Sequence, residues 1–312
     1  MSFKYINPGF AKLFDYNPTA VQLETTEKSK TGVAAGISDS NTGINWATRH
    51  DDFWGRFDVY LPTNVNYSVY FNTPGTTQKF TLSFYQSYFT VSQGISTGSV
   101  SMGADRGYIS DGTAKSLMGI KANEINSILI HVHYGTSETA YVDITINNKN
   151  FQLTGYEYKN RTDAYNYVIL SATNTAAPIS NIILSDEEIS IKEQVALIPV
   201  SLTETEMTEN DGIYSANAAG QTILQTPNIN SLITHYGANS RVTGIALFGV
   251  PAYRNGSEPS KLTSISKSNG EITEYGEHTL DEDTQAVIFD SRKIETTIGG
   301  LNGTQFGWKV GA

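Results

Sequence analysis

Two histidines stand two residues apart, His131 and His133, in the run Ile128-Leu-Ile-His-Val-His-Tyr134. On an extended strand, residues at this spacing project to the same face. Two imidazoles placed so can share a metal ion, provided a third ligand comes from another element. The remaining histidines, His50, His235 and His278, fall in other expected elements. The plainer reading is a solvated strand face, alternating with Ile128, Ile130, Val132 and Tyr134. We adopt the plainer reading as the expectation.

Carboxylates are the next candidates. His50-Asp51-Asp52 sets two of them beside an imidazole just ahead of a strand. A glycoside hydrolase needs two carboxylates facing each other across the substrate, roughly 5–10 Å apart. Neighbours in one strand point to opposite faces, so Asp51 and Asp52 cannot form that pair by themselves. No Glu-x-Asp-x-x-Glu run or close relative occurs, and "DEEIS" (186–190) and "LDEDT" (280–284) read as turns. There is no Gly-x-Ser-x-Gly elbow, phosphate-binding loop or dinucleotide fingerprint, and no cysteine to act as nucleophile or zinc ligand. The expectation is therefore a protein without catalytic residues and without a bound cofactor. Calcium is the one ion that acidic loops could hold, at Asp105 and Asp111 or at Asp281, Glu282 and Asp283, although no Asp-x-Asp-x-Asp-Gly loop is present.

Binding chemistry has more to work with. Sugars are held by aromatic rings under their C–H faces and by Asn, Asp and Gln at their hydroxyls. The chain has 18 tyrosines. Alternation places Tyr60, Tyr70 and Tyr85 or Tyr88 outward. The Gly-rich stretch 92–116 adds Asp105, Tyr108 and Asp111, and "GYEYKNRTDAYNY" adds Tyr156, Tyr158 and Asn160. These ten residues are the expected ligand contacts.

The elements that must position them are strands. In "FWGRFDVYLP", Phe53, Phe57, Val59 and Leu61 oppose Trp54, Arg56, Asp58 and Tyr60. In "NVNYSVYFNT", Val65, Tyr67, Val69 and Phe71 share one face. With Pro62-Thr-Asn between them, the two runs are expected as neighbouring antiparallel strands. "KFTLSFYQSYFTV" reads as a strand with a bulge near Gln86-Ser87. Residues 92–127 read as loop or short edge strands. Further strands are expected over 128–134, 140–146, 151–153, 165–172 and 179–184, and short helices near 10–14 and 185–189. A Thr/Glu-rich stretch, 201–211, reads as a linker between domains 1–200 and 212–312, and residues 1–20 as a docking segment. The second domain is expected to hold a helix over 228–236, stopped by Gly237, and several hairpins. Its Asn269-Gly270 pair suits a type I′ turn.

Charged residues make up 17% of the 312, and the net charge is −10. An acidic surface repels phosphate backbones and anionic lipid, so nucleic acid and membranes are not expected partners. No apolar run reaches the ~20 residues of a bilayer span, and the start lacks the basic and apolar regions of a secretory signal.

The order of pieces over 45–195 resembles a concanavalin A-like, laminin-G-type jelly roll. The aromatic strand "FWGRFDVYL" is followed much later by "INSILIHVHYGTSETAYVDITINNKNF" and then by "ISNIILSDEEIS". This resemblance implies an all-β fold, a lectin-like sandwich followed by a smaller β-sandwich. More loosely, the chain is similar to virion-associated adhesins of bacterial viruses. That resemblance implies a non-enzymatic adhesin in a virion or released outside the cell. Its partners would be a glycan or bacterial cell surface, other virion proteins and further copies of itself. A capsid or tail decoration protein and a polysaccharide-degrading jelly roll are the alternatives.

Overall fold

The computed structural model describes residues 4–9, 21–24, 28–31, 33–37, 42–50, 52–61, 67–72, 79–84, 89–95, 98–101, 121, 123–133, 141–147, 149–154, 165–172, 177–252, 261–280 and 286–311. Among the described residues the regular structure is nearly all β, and the chain divides into two compact units, 1–196 and 197–312.

Unit 1 is a jelly-roll sandwich of two antiparallel sheets. The first sheet runs β12 (Lys149–Thr154), β11 (Tyr141–Ile146), β10 (Ile125–His133), β5 (Asp52–Tyr60), β14 (Ala177–Ser185), β3 (Val33–Ile37) and β2 (Val21–Glu24), with β1 (Lys4–Asn7) also paired to β14. The second runs β4 (Thr42–His50), β13 (Tyr165–Ala172), β6 (Tyr67–Asn72), β7 (Lys79–Phe84), β8 (Phe89–Ile95) and β9 (Gly98–Ser101).

The alternation in β5 and β10 is what builds the first sheet. Phe53, Phe57 and Val59 on β5, and Ile128, Ile130 and Val132 on β10, are all buried on the core-facing side, as are Ile144 and Ile146 on β11. Each large apolar side chain taken from water contributes roughly 1.5–3 kcal/mol, so a slip by one residue would forfeit all of it. Asp52, Trp54, Arg56 and Asp58 therefore fall on the outer face.

Arg56 and Asp58 are nevertheless as buried as the core, because an irregular segment, 186–196, lies over them. Arg56 Nη2 meets Asp58 Oδ1 at 3.0 Å. Its Nε donates to the Ile191 carbonyl at 3.4 Å and its Nη1 to the Asn181 carbonyl at 3.1 Å. Asn181 sits at a register shift in β14 with φ 55°, a left-handed conformation that Asn tolerates better than most residues. From there its side chain donates to Asp58 Oδ2 at 2.8 Å and accepts from the Val195 N–H at 2.6 Å. Buried charges survive only when paired and fully hydrogen-bonded. Lys30 and Ser127 complete the set around Asp58.

Several expectations change. The strands at 52–60 and 67–72 are not neighbours: β5 pairs with β10 and β14 in one sheet, β6 with β13 and β7 in the other. Residues 79–84 and 89–95 are two separate strands paired antiparallel, Phe84 opposite Phe89, in place of one bulged strand. Around 185–189 there is no helix but the start of the covering segment. Of the expected docking segment, Lys4–Asn7 is a buried strand of the first sheet, because Tyr5 and Ile6 are apolar enough to belong there. The helix expected at 10–14 lies outside the described residues.

Unit 2 holds β15 (Val200–Thr205), a hairpin of β16 (Thr208–Asn210) and β17 (Ile213–Ser215), β18 (Thr222–Pro227), α1 (Asn230–Tyr236), β19 (Arg241–Ala252), β20 (Lys261–Ser268), β21 (Glu271–Thr279), β22 (Ala286–Thr297) and β23 (Gln305–Gly311). Its main sheet runs β15-β18-β23-β20-β21, and β19 pairs with β22. The stretch 201–211, expected as a linker, is strand: its alternating threonines suit an edge, and Val200–Thr205 pairs with β18. Ile229, Ile298, Leu301 and Phe306 form a core against which Leu232 and Ile233 of α1 pack. Ser268 and Glu271 pair across Asn269 (φ 51°) and Gly270 (φ 84°), the two positive angles a type I′ turn demands. Among the described residues no helix is long and apolar enough to cross a membrane.

Candidate active site

The outer face of the first sheet carries the chemistry. Directly opposed residues of antiparallel strands point to one face, and the register lines up two rows. One row is Tyr141 on β11, His133 on β10 and Asp52 on β5. The next is Asp143, His131, Trp54, Ser185 on β14 and Lys4 on β1.

Asp52 gathers the two histidines. Its Oδ1 lies 2.8 Å from His131 Nε2 and 2.9 Å from His133 Nδ1. A carboxylate can only accept, so the ring nitrogens facing it carry protons. In the neutral imidazoles the lone pairs are then at His131 Nδ1 and His133 Nε2. The first faces Asp143 Oδ2 at 3.8 Å. The second is the basic nitrogen left over. Burial pushes the Asp52 carboxyl up, but the hydrogen bonds and charges of the two histidines outweigh it, and its pKa is held below the ordinary value.

Aromatic rings fix the imidazoles. His131 is stacked on Trp54, centroids 3.9 Å apart and planes at 11°. His133 lies over Tyr141 at 5.0 Å and 20°, and His131 meets the same tyrosine edge-on at 5.2 Å. Partial burial, reinforced by the negative charges of Asp52 and Asp143, raises the pKa of the Tyr141 phenol. It therefore stays protonated and can donate. The site thus pairs one basic imidazole with one neutral acid on a rigid sheet. His133, Asp52 and Asp143 keep side-chain exposures of 28%, 38% and 42%, so the cluster is open to a ligand.

This corrects the plain solvated face expected for His131 and His133: both are held by one carboxylate. Among the described residues no group of three or more His, Asp or Glu side chains is placed to hold a metal. Of the expected ligand contacts, Tyr60 lies at the opposite end of β5 from Asp52, with Lys28 Nζ 5.3 Å from its ring centroid. Tyr70 belongs to β6 in the second sheet. Tyr85, Tyr88, Asp105, Tyr108, Asp111, Tyr156, Tyr158 and Asn160 lie outside the described residues, as do the calcium candidates Asp281, Glu282 and Asp283. Trp54, Tyr141 and Asp143 were not singled out from sequence, although their alternation already set them outward.

No family model matches the chain, and no curated protein sequence matches it. Solved structures do resemble it. An endo-β-1,4-glucuronan lyase from the fungus Trichoderma reesei aligns at 10% identity and TM-score 0.40, covering 59% of this chain and 99% of its own. An alginate lyase from a Chlorella virus aligns at 8% identity and TM-score 0.37, covering 58% and 90%. A β-agarase A aligns at 8% and TM-score 0.38, covering 57% and 78%. At such identities the likeness is one of fold. The similar structures are mostly glycan-degrading enzymes, so the expectations of a non-enzymatic adhesin and of no enzyme activity do not stand.

Proposed function

We propose that the protein degrades a polysaccharide by acid–base chemistry on the outer face of the first sheet, with His133 as base and Tyr141 as acid. The observation that carries this is Asp52 Oδ1 bridging His131 Nε2 and His133 Nδ1 beside the Tyr141 ring. Hydrolysis with two carboxylates is disfavoured, since Asp52 is engaged by two imidazoles and is not free to attack or to activate water. Elimination suits the set better. His133 Nε2 takes the proton on the carbon next to a uronate carboxyl, the electron pair becomes a C=C bond, and the glycosidic oxygen leaves with a proton from Tyr141. The substrate class is a uronate-containing polysaccharide. The net charge of −10 works against long-range attraction of such a polymer, so affinity has to arise within the site.

The setting goes with this reading: a glycan or bacterial cell surface as partner, on a virion or outside the cell, and association with further copies. Self-association is supported by the edges of the main sheet of unit 2: among the described residues β15 and β21 are its end strands, and they expose Val200 and Leu202, and Ile272.

Incubation with glucuronan and alginate tests the function. Products with the ultraviolet absorbance of an unsaturated sugar end are expected, and His133→Ala and Tyr141→Phe should each lower the rate by roughly 10²–10⁴-fold. New reducing ends without that absorbance, or full activity in both variants, would falsify the assignment.

A further inference from the structure

Among the described residues the outer-face rows are open on one side and walled on the other. Moving from β11 toward β14, exposure falls abruptly past Trp54. Ser185, directly opposite Trp54, is 3% exposed, and Lys4, opposite Ser185, is 5% exposed. The segment 186–196 covers them. The Glu187 N–H donates to Ser185 Oγ at 3.0 Å, and Lys4 Nζ pairs with Glu193 Oε2 at 2.9 Å. The same segment blocks the other direction, down β5, where Arg56 lies two residues beyond Trp54 with its guanidinium under the Ile191 carbonyl. Trp54 therefore stands in a corner closed on two sides, while the His133, Asp52 and Asp143 side stays open.

The wall is not a loose flap. Glu193 Oε1 accepts from the Ser190 N–H at 3.2 Å, the Val195 N–H is held by Asn181 Oδ1 at 2.6 Å, and Ile189 is buried. Opening it would take the Ile191 carbonyl away from Arg56 Nε, and a buried charge that loses a hydrogen-bond partner is destabilising.

We infer that this corner is a terminal subsite: the ligand is the end of a glycan chain, seated at Trp54, and the protein removes sugar from chain ends instead of cutting within the chain. A pyranose ring with its linkage is about as wide as the ~4.8 Å strand spacing, so a polymer lying along the rows, from β11 toward β14, meets the wall one sugar past the histidines. His131 covers one face of the Trp54 ring, so a terminal sugar packs against the part of the indole that His131 leaves exposed. This rests on the acid–base reading of the site for its cleavage step, but not for its binding step.

Two measurements on the full chain test it. In the first, viscosity and product size are followed during digestion of alginate or glucuronan. Release of the smallest saccharides from the outset with viscosity nearly unchanged is expected; an early collapse of viscosity with long mixed oligosaccharides overturns the inference while leaving the enzymatic reading standing. In the second, the saturating amount of His133→Ala protein is measured per gram of alginate before and after the mean chain length is halved. Capacity doubles if ends are bound, and unchanged capacity per gram overturns the terminal subsite. Absence of both cleavage and binding overturns the inference together with the function it rests on.

Discussion

Asp52 is the residue on which the site turns. It fixes the tautomer of both imidazoles, so Asp52→Asn should lose activity even though the amide is the same size. An amide NH₂ turned toward either ring would favour the tautomer with its lone pair inward, and a loss of roughly 10²–10⁴-fold is expected in steady-state assays. The pH dependence follows from the direction of its shift. The Asp52 carboxyl has a lowered pKa in the folded chain, so the folded state binds fewer protons there than the unfolded state near the ordinary value of about 3.9. Its contribution to stability is complete at neutral pH, and it is lost as pH falls through the lowered folded value. Denaturant melts of the wild type and Asp52→Asn should differ by a constant amount above about pH 5 and converge below about pH 4. A gap that widened on acidification would contradict this.

At the scale of elements, the covering segment and the shift in β14 are one device. Asn181 offers its side chain to Asp58 and Val195 and its carbonyl to Arg56, all from a left-handed backbone. Asn181→Ala loses the side-chain bonds and forces a Cβ-bearing residue without local polar support into that conformation. A loss of roughly 2–4 kcal/mol is expected from two buried bonds left unmade, with about 1 kcal/mol added by the backbone. Asn181→Gly removes the same bonds without the backbone cost, so it should unfold at higher denaturant than Asn181→Ala. Equal midpoints would show that the conformation is not held by this residue. The strands themselves were legible in the sequence. Tyr165–Ala172 was read with its observed bounds because it is a short run rich in Tyr, Val and Ile, and 140–146 to within one residue because Val142, Ile144 and Ile146 alternate with Tyr141, Asp143 and Thr145. The start of the segment 186–196 was read as a short helix near 185–189 and as a turn at 186–190, because it has no period of its own. Its path is set by Arg56 and Asn181, which precede it in sequence by up to 135 residues.

For the whole molecule, the division at 196/197 separates two units with their own cores. We expect residues 197–312 expressed alone to fold cooperatively. We also expect light scattering to give this fragment the same subunit number as the full chain, since the exposed edges β15 and β21 belong to it. A monomeric fragment beside an oligomeric full chain would move the self-association to unit 1, and a monomeric full chain would remove it.

The all-β class, the alternation that sets Asp52, Trp54, His131 and His133 on one side of their strands, and the type I′ turn at Asn269-Gly270 were determined by the sequence alone. Each depends on residues within a few positions of one another, where side-chain period and backbone preference act directly. That Asp52 meets two histidines 79 and 81 residues away was decided only by the tertiary structure. Local pattern says which way a side chain points from its own strand. It does not say which strand lies alongside, or in what register, because that is settled by burying Phe53, Phe57, Ile128, Ile130 and Val132 together. The same register that closes the core brings His133 opposite Asp52 and Tyr141, and it turns a face that reads as solvated strand into a cluster able to move a proton.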